Sequence, residues 1–148
     1  MAIVKRTVPT SPDRVFAVLA DGWSYSDWVV GTAHIRDVDA SWPAEGAKLH
    51  HKAGPWPLSL KDSSTVLSCR PNEELILNAG LWPFGAAQVR IVLTPQGPDR
   101  TLVTMHEDFV EGPLLFLRNK VNDLILHRRN MESLRRLSDI ATREKAGH

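Results

Sequence analysis

Cysteine is almost absent from this sequence of 148 residues, in which Cys69 is the only one. One thiol cannot form an intramolecular disulfide framework, and by itself it cannot supply the ligands of a zinc site. The composition is therefore typical of a protein from a reducing compartment.

An excess of charge of one sign and a long apolar run are also lacking. The chain has 18 Lys and Arg residues against 17 Asp and Glu residues, so no general field attracts nucleic acid. No segment reaches the roughly 18 apolar residues of a membrane span, and Lys5 and Arg6 stand where a signal peptide would need its apolar region. We expect a cytoplasmic protein with no nucleic-acid partner and no integral membrane segment.

Several chemical motifs are missing as well. The sequence has no G-x-S-x-G nucleophile elbow, and no glycine-rich turn between a strand and a helix that could hold a phosphate. His50 and His51 are adjacent in a predicted strand, where neighbouring side chains point to opposite faces and cannot bind one ion together. We therefore predict neither a metal nor a cofactor.

The elements that are present predict a single α+β domain over residues 1–148. The alternation in "AIVKRTV" indicates a first strand, and Ser11, Pro12 and Gly22 are typical of the start and end of a helix. A second, short helix follows. From Ala47 to Phe109, short apolar runs between clusters of Pro and Gly predict five or six antiparallel strands.

A long C-terminal helix is predicted after Gly112-Pro113, ending at about Ala141. We expect Leu117, Val121 and Leu124 to face the sheet, because apolar residues recur there at threes and fours. Basic residues outnumber acidic ones in this helix. This surplus predicts first a solvated face, second a weak contact with an anionic membrane surface or another negatively charged partner, and last a contact with nucleic acid.

These segments resemble the SRPBCC superfamily, also called START-like or birch-pollen-allergen-like. The resemblance is carried by "SPDRVF", "DGWSYSDWVVG", "GPWPLSLKDSSTV", "TLVTMHED" and "RRNMESLRRL", and it is strongest to the bacterial polyketide cyclase/dehydrase-type group. It implies a helix-grip fold, in which a curved antiparallel sheet wraps around a long C-terminal helix and a cavity lies between the sheet and the helix. The superfamily includes lipid carriers, hormone receptors, cyclases and chaperone co-factors, so the resemblance leaves the activity open.

The wall of such a cavity can be predicted from the aromatic residues after the first helix and from the apolar face of each strand. Trp23, Tyr25 and Trp28 are candidates for its rim or wall, and a packing anchor is the alternative for Trp28. In the last strand we favour Val103, Met105 and Glu107 as the inner set over Leu102, Thr104 and His106. The predicted ligand-binding residues are Trp28, Leu60, Leu77, Ala79, Val89, Ile91, Val103, Met105, Leu117, Val121 and Leu124.

Three polar residues on the predicted inner faces are the catalytic candidates: His51, Asp62 and Glu107. A carboxylate or imidazole inside an apolar cavity is costly unless it is hydrogen-bonded, so an inward position would be informative. The alternative is a carboxylate at the surface near a strand end. Arg128 or Arg129, which interrupt the apolar stripe of the long helix, are candidates to pair with such a carboxylate or with an acidic ligand group.

Three classes of function follow. The first is the binding or transport of an apolar or aromatic small molecule, lipid-like or polyketide-like, by a monomer or homodimer. The second is a polyketide cyclase, aromatase or dehydrase that uses an inward acid and base. The third is a protein-interaction module with a filled core. A cavity of several hundred cubic ångströms favours the first two classes over the third.

Overall fold

The computed structural model of the chain describes residues 2–30, 32–53, 60–80, 86–111 and 120–146. The helices are α1 (Pro12–Ala20), α2 (Tyr25–Trp28) and α3 (Lys120–Ala146), with a 3₁₀ turn at Gly22–Ser24 between α1 and α2. The strands are β1 (Ala2–Val8), β2 (Thr32–Val38), β3 (Lys48–Ala53), β4 (Leu60–Arg70), β5 (Glu74–Gly80), β6 (Ala86–Pro95) and β7 (Thr101–Glu111).

All of these strands belong to one curved antiparallel sheet in the order β1-β7-β6-β5-β4-β3-β2. The strands from β2 to β7 follow one another as a meander, and β1 pairs with β7, so that Val4 lies opposite Met105. The long helix α3 contacts β1, α1 and α2. This arrangement confirms the predicted α+β helix-grip fold.

Two of the predicted turn clusters lie in described turns between strands, and each contains a residue that suits the local backbone conformation. Asn72 in the β4–β5 turn has a φ of 65°, a left-handed conformation that asparagine tolerates better than most residues. Gly97 in the β6–β7 turn has a φ of 133°, which strongly favours glycine. The chain reverses there with Gln96 N–H donating to the carbonyl of Arg100 at 2.9 Å.

The core lies between the sheet and the helices. Helix α1 buries Val15, Phe16, Val18 and Leu19, the residues whose helical spacing predicted it. Helix α3 buries Leu134, Leu137 and Ala141 beside β1 and α1. These side chains form one continuous cluster that extends to Trp28 and to the inner faces of the strands. None of the described helices combines the length and apolar character needed to cross a bilayer.

The prediction that Leu124 faces the sheet is wrong, because 52% of its surface is exposed. Leu124 and Leu134 are ten residues apart, which places them about 80° apart around a helix axis. The buried stripe instead continues from Leu134 back to Asn130 and Leu126. This stripe is hard to recognise in the sequence because Asn130, a polar residue, occupies one of its buried positions.

Other expectations for this helix fall in part outside the described residues. The predicted start near Pro113 and the whole of Leu117 lie there, as does the side chain of Val121. At the other end the helix continues to Ala146, five residues beyond the predicted end at Ala141. On its exposed side Arg135 donates to Glu132 at 2.7 Å and to Asp139 at 2.9 Å, so part of its basic surface is paired within the helix.

Strand β2 was not predicted from the sequence. Its register with β3 shifts between Thr32 and His34 and again between Ile35 and Asp37. Each irregularity interrupts the period of two that identifies a half-buried strand. Ile35 is buried, whereas the neighbouring Asp37 is exposed, so the segment shows no clear alternation of apolar residues.

We predict that Gly22→Ala destabilises the fold by roughly 1–3 kcal/mol, as overpacking of a core does. A Cβ at this position would lie 2.7 Å from Cγ1 of Val38, a β-branched side chain that cannot easily move aside. Chemical denaturation measures the loss. Adding Val38→Ala should restore part of it in a double-mutant cycle, and equal losses in both backgrounds would show that this contact is not the cause.

Candidate functional site

A partly enclosed cavity of about 280 Å³ lies between the sheet, α2 and α3. Six of the predicted ligand-binding residues line it: Trp28, Leu77, Ala79, Val89, Ile91 and Met105. Two of the three catalytic candidates, His51 and Glu107, line it as well. The strands β3, β5, β6 and β7 therefore bring these residues together from distant parts of the sequence.

The remaining predicted residues lie elsewhere or outside the described side chains. Val103 is fully buried in the core, but it is not part of the cavity wall, and Leu124 is mainly exposed. The side chains of Leu60, Asp62 and Val121, and the whole of Leu117, lie outside the described residues. Trp23, predicted as a rim candidate, is 56% exposed and does not line the cavity.

The inner face of β7 is the one that the sequence favoured. Val103, Met105 and Glu107 are buried, whereas Leu102, Thr104 and His106, which alternate with them, are only half-buried. Since successive side chains of a strand point to opposite faces, this alternation places Glu107 on the same side of the sheet as the apolar wall.

Glu107 is held by two residues of α3. Its Oε1 accepts a hydrogen bond from Nδ2 of Asn130 at 2.9 Å and another from Nη2 of Arg129, with which it also forms an ion pair. Nε and Nη2 of Arg129 lie 3.4 and 3.3 Å from Oδ1 of Asn130. The carboxylate is thus compensated by a guanidinium and an amide, as a buried charge must be.

One turn further along α3, Ser133 joins the helix to the end of α2. Its hydroxyl accepts a hydrogen bond from the backbone N–H of Val30 at 3.0 Å and donates to the carbonyl of Arg129 at 3.1 Å. This link fixes the segment that follows Trp28. The cavity wall formed by α2 therefore depends on the position of α3.

A second polar group lies on the β3–β4 side of the cavity. Nε2 of His51 and Oγ of Ser64 are 3.3 Å apart, and both residues are buried. In the β3–β4 register, His51 is the direct partner of Asp62. His50, on the opposite face, lies 3.4 Å from Asp39, so the two adjacent histidines are separated as predicted.

Burial raises the pKa of Tyr25 to about 12. The negative charge of Glu107 acts in the same direction, while a hydrogen bond from Ser64 and the charge of Arg129 act against it. The phenol is therefore a neutral hydrogen-bond donor at physiological pH. Its ring packs edge-to-face against Trp28, with centroids 5.5 Å apart and planes at 66°.

Three polar residues of the cavity were missed in the sequence: Ser64, Asn130 and Ser133. Ser64 could have been found, because a period of two places it on the same face as Asp62. Asn130 and Ser133 could not, because finding them required the correct phase of the buried stripe of α3. Among the described residues, no three His, Cys, Asp or Glu side chains cluster in a way that could hold a metal ion.

We predict that Tyr25 stays protonated in the native protein up to a pH near 12. It is the only tyrosine in the chain, so ultraviolet absorbance of tyrosinate reports on this residue alone. Its pKa near 10 in the unfolded chain is below the folded value. The unfolded state therefore loses the proton first, and the stability that this group contributes falls as pH rises from about 10 to 12. A native midpoint near 10 would contradict the buried position.

A protein family model matches most of the chain. The family model described as activator of Hsp90 ATPase homolog 1-like protein matches residues 9–120, which is well over half of the chain. No curated protein matches the sequence.

Solved structures of low sequence identity share the fold. The Zhui aromatase/cyclase from Streptomyces sp. R1128 has a TM-score of 0.75 at 16% identity, with 96% of this chain and 93% of that chain covered. Protein NE0264 from Nitrosomonas europaea has a TM-score of 0.71 at 16% identity, covering 97% and 95%. The di-domain ARO/CYC StfQ of the steffimycin pathway has a TM-score of 0.65 at 15% identity, covering 99% of this chain and 52% of that one.

Proposed function

The chain belongs to the activator of Hsp90 ATPase homolog 1-like family, of the SRPBCC type, and we propose that it binds a small apolar or aromatic molecule in its cavity. The aromatase/cyclases among its structural neighbours support an aromatic, polyketide-like ligand. We retain a cytoplasmic location, a monomeric or homodimeric state and a weak contact of α3 with anionic membranes as parts of this proposal.

The observation that carries the proposal is the apolar wall presented by three neighbouring strands. Leu77 and Ala79 of β5, Val89 and Ile91 of β6, and Met105 of β7 all face the same space. Ligand pockets are typically walled by apolar side chains, with a few polar groups that fix orientation. A cavity of about 280 Å³ lies close to the lower end of the range for such pockets, and it argues against the interaction module with a filled core.

Small residues leave the space open. Ala79 and Ala87 are direct partners in the β5–β6 register, and both line the cavity. Larger side chains at these two positions would occupy the volume from the sheet side. The pair therefore offers a way to close the cavity without changing any polar group.

We predict that Ala79→Leu weakens the binding of tetralin, a bicyclic hydrocarbon, by tenfold or more. One methylene that does not fit an apolar pocket weakens binding by about 10–200-fold. Leucine adds three carbons to the side chain of alanine. Titration followed by protein NMR gives the affinity. Ala17→Leu, on the exposed side of α1, is the matched control and should bind as the wild type does.

Two results would contradict the proposal. One is tetralin binding of equal strength in the wild type and in Ala79→Leu, which would place the hydrocarbon outside the cavity. The other is that the wild type shows no saturable binding of tetralin or of an oxygen-bearing molecule with the same two rings.

The second candidate function is a cyclase or dehydrase, and it is favoured by one observation: His51 and Glu107 line the same cavity. We rank it below binding because Glu107 is engaged by Arg129 and Asn130. Incubation with a linear poly-β-keto thioester, followed by mass spectrometry for the loss of water, separates the two. An enzyme would show turnover that Glu107→Gln or Asp62→Asn abolishes while substrate binding persists. A binding protein would show no turnover in any variant.

A further inference from the structure

Trp28 is a residue of the cavity wall, and its indole N–H is a buried donor. The residue is 2% exposed, it lines the cavity, and its Nε1 has no hydrogen-bond partner among the described residues. Buried donors are almost always paired in native proteins. An unpaired one at a cavity wall is therefore evidence for an acceptor that the protein itself does not supply.

Trp42 has the same indole group in a part of the core that does not line the cavity. It is buried to a similar extent, at 8% exposure, but its Nε1 donates to the carbonyl of Leu19 at 3.1 Å. The fold therefore satisfies one buried indole internally, whereas the other has no partner in the part of the chain that the structure describes. The difference between the two residues is that Trp28 lines the cavity and Trp42 does not.

The electrostatics of the cavity indicate a neutral acceptor. Arg129 is the one guanidinium in the described part of the wall, and it already donates to Glu107. An anionic ligand would have to displace that carboxylate or lie near its charge, at a high cost in a poorly solvated site. Tyr25, whose ring contacts that of Trp28, is a neutral phenol and adds no positive charge.

The size of the cavity limits the ligand. An apolar cavity of about 150 Å³ holds one benzene ring, and the cavity here is about 280 Å³. Two fused rings fit this volume. The edge-to-face pair of Tyr25 and Trp28 offers such rings a rigid aromatic surface.

We propose that the ligand is a neutral molecule of about two fused rings with a ketone-type oxygen, which accepts a hydrogen bond from Nε1–H of Trp28. This inference rests on the proposed small-molecule binding and adds a specificity-determining residue to it. Trp28 selects ligands that carry an oxygen acceptor over hydrocarbons of the same shape.

The test compares three probes that share one skeleton: 1-tetralone, tetralin and the anion 5,6,7,8-tetrahydro-1-naphthoate. The wild type should bind 1-tetralone about five- to tenfold more tightly than tetralin, as one net hydrogen bond provides, and should bind the carboxylate most weakly. Trp28→Phe keeps an aromatic ring without the donor. It should abolish the preference for the ketone, so that 1-tetralone and tetralin bind with about equal affinity. Trp42→Phe is the matched control and should keep the preference.

A spectroscopic readout on the wild type keeps the test decisive even if Trp28→Phe does not fold. Through-bond assignment identifies the Nε1–H resonance of Trp28 among those of the five tryptophans. 1-Tetralone should shift this proton downfield, and tetralin should not.

The outcomes separate this inference from the proposed function. Equal affinities for ketone and hydrocarbon, or a ketone preference that survives in Trp28→Phe, overturn the role of Trp28 and leave binding in place. Tighter binding of the carboxylate overturns the neutral ligand. If neither tetralin nor 1-tetralone binds, the proposed function fails, and the inference fails with it.

Discussion

The hydrogen-bonded group of Glu107, Arg129 and Asn130 is the contact on which the rest of the site depends. It joins the inner face of β7 to α3 beside the cavity. Since the carboxylate receives two donors, its burial is tolerated. The position of α3 then fixes Ser133, which binds the backbone of Val30 and so holds the segment after Trp28.

The site combines an apolar wall with the neutral donors of Tyr25 and Trp28 and with the ion pair of Glu107 and Arg129. The sheet side presents leucine, valine, isoleucine, methionine and alanine, and the α2 side presents the aromatic pair of Tyr25 and Trp28. Burial keeps the phenol protonated, and the charges nearby compensate one another. A site of this kind discriminates through shape and a small number of neutral hydrogen bonds, which suits a flat molecule with little charge.

The sequence allowed the fold to be predicted wherever a periodic pattern was intact, and it failed where a local irregularity interrupted that pattern. Proline and serine at the start of α1 and the alternation in β7 predicted these elements, including the inward position of Glu107. Strand β2 was not recognised because two bulges interrupt its alternation. In α3 the polar Asn130 occupies a buried position, so the buried stripe was predicted in the wrong phase and Leu124 was expected on the wrong face. The pairing of Glu107 with Arg129 was one of several pairings that the sequence allowed for Arg128 and Arg129. The partners Asn130 and Ser133 depend on the rotation of α3, which only tertiary packing determines.

Native mass spectrometry of the protein purified from the organism that makes it tests most directly whether this cavity holds a neutral small molecule. We predict a second set of peaks, heavier by one small molecule per chain, whose occupancy is lost when Ala79→Leu is purified in the same way. Extraction should release a molecule without net charge. A bound molecule with the same occupancy in the wild type and in Ala79→Leu, or an anionic one, would contradict the account.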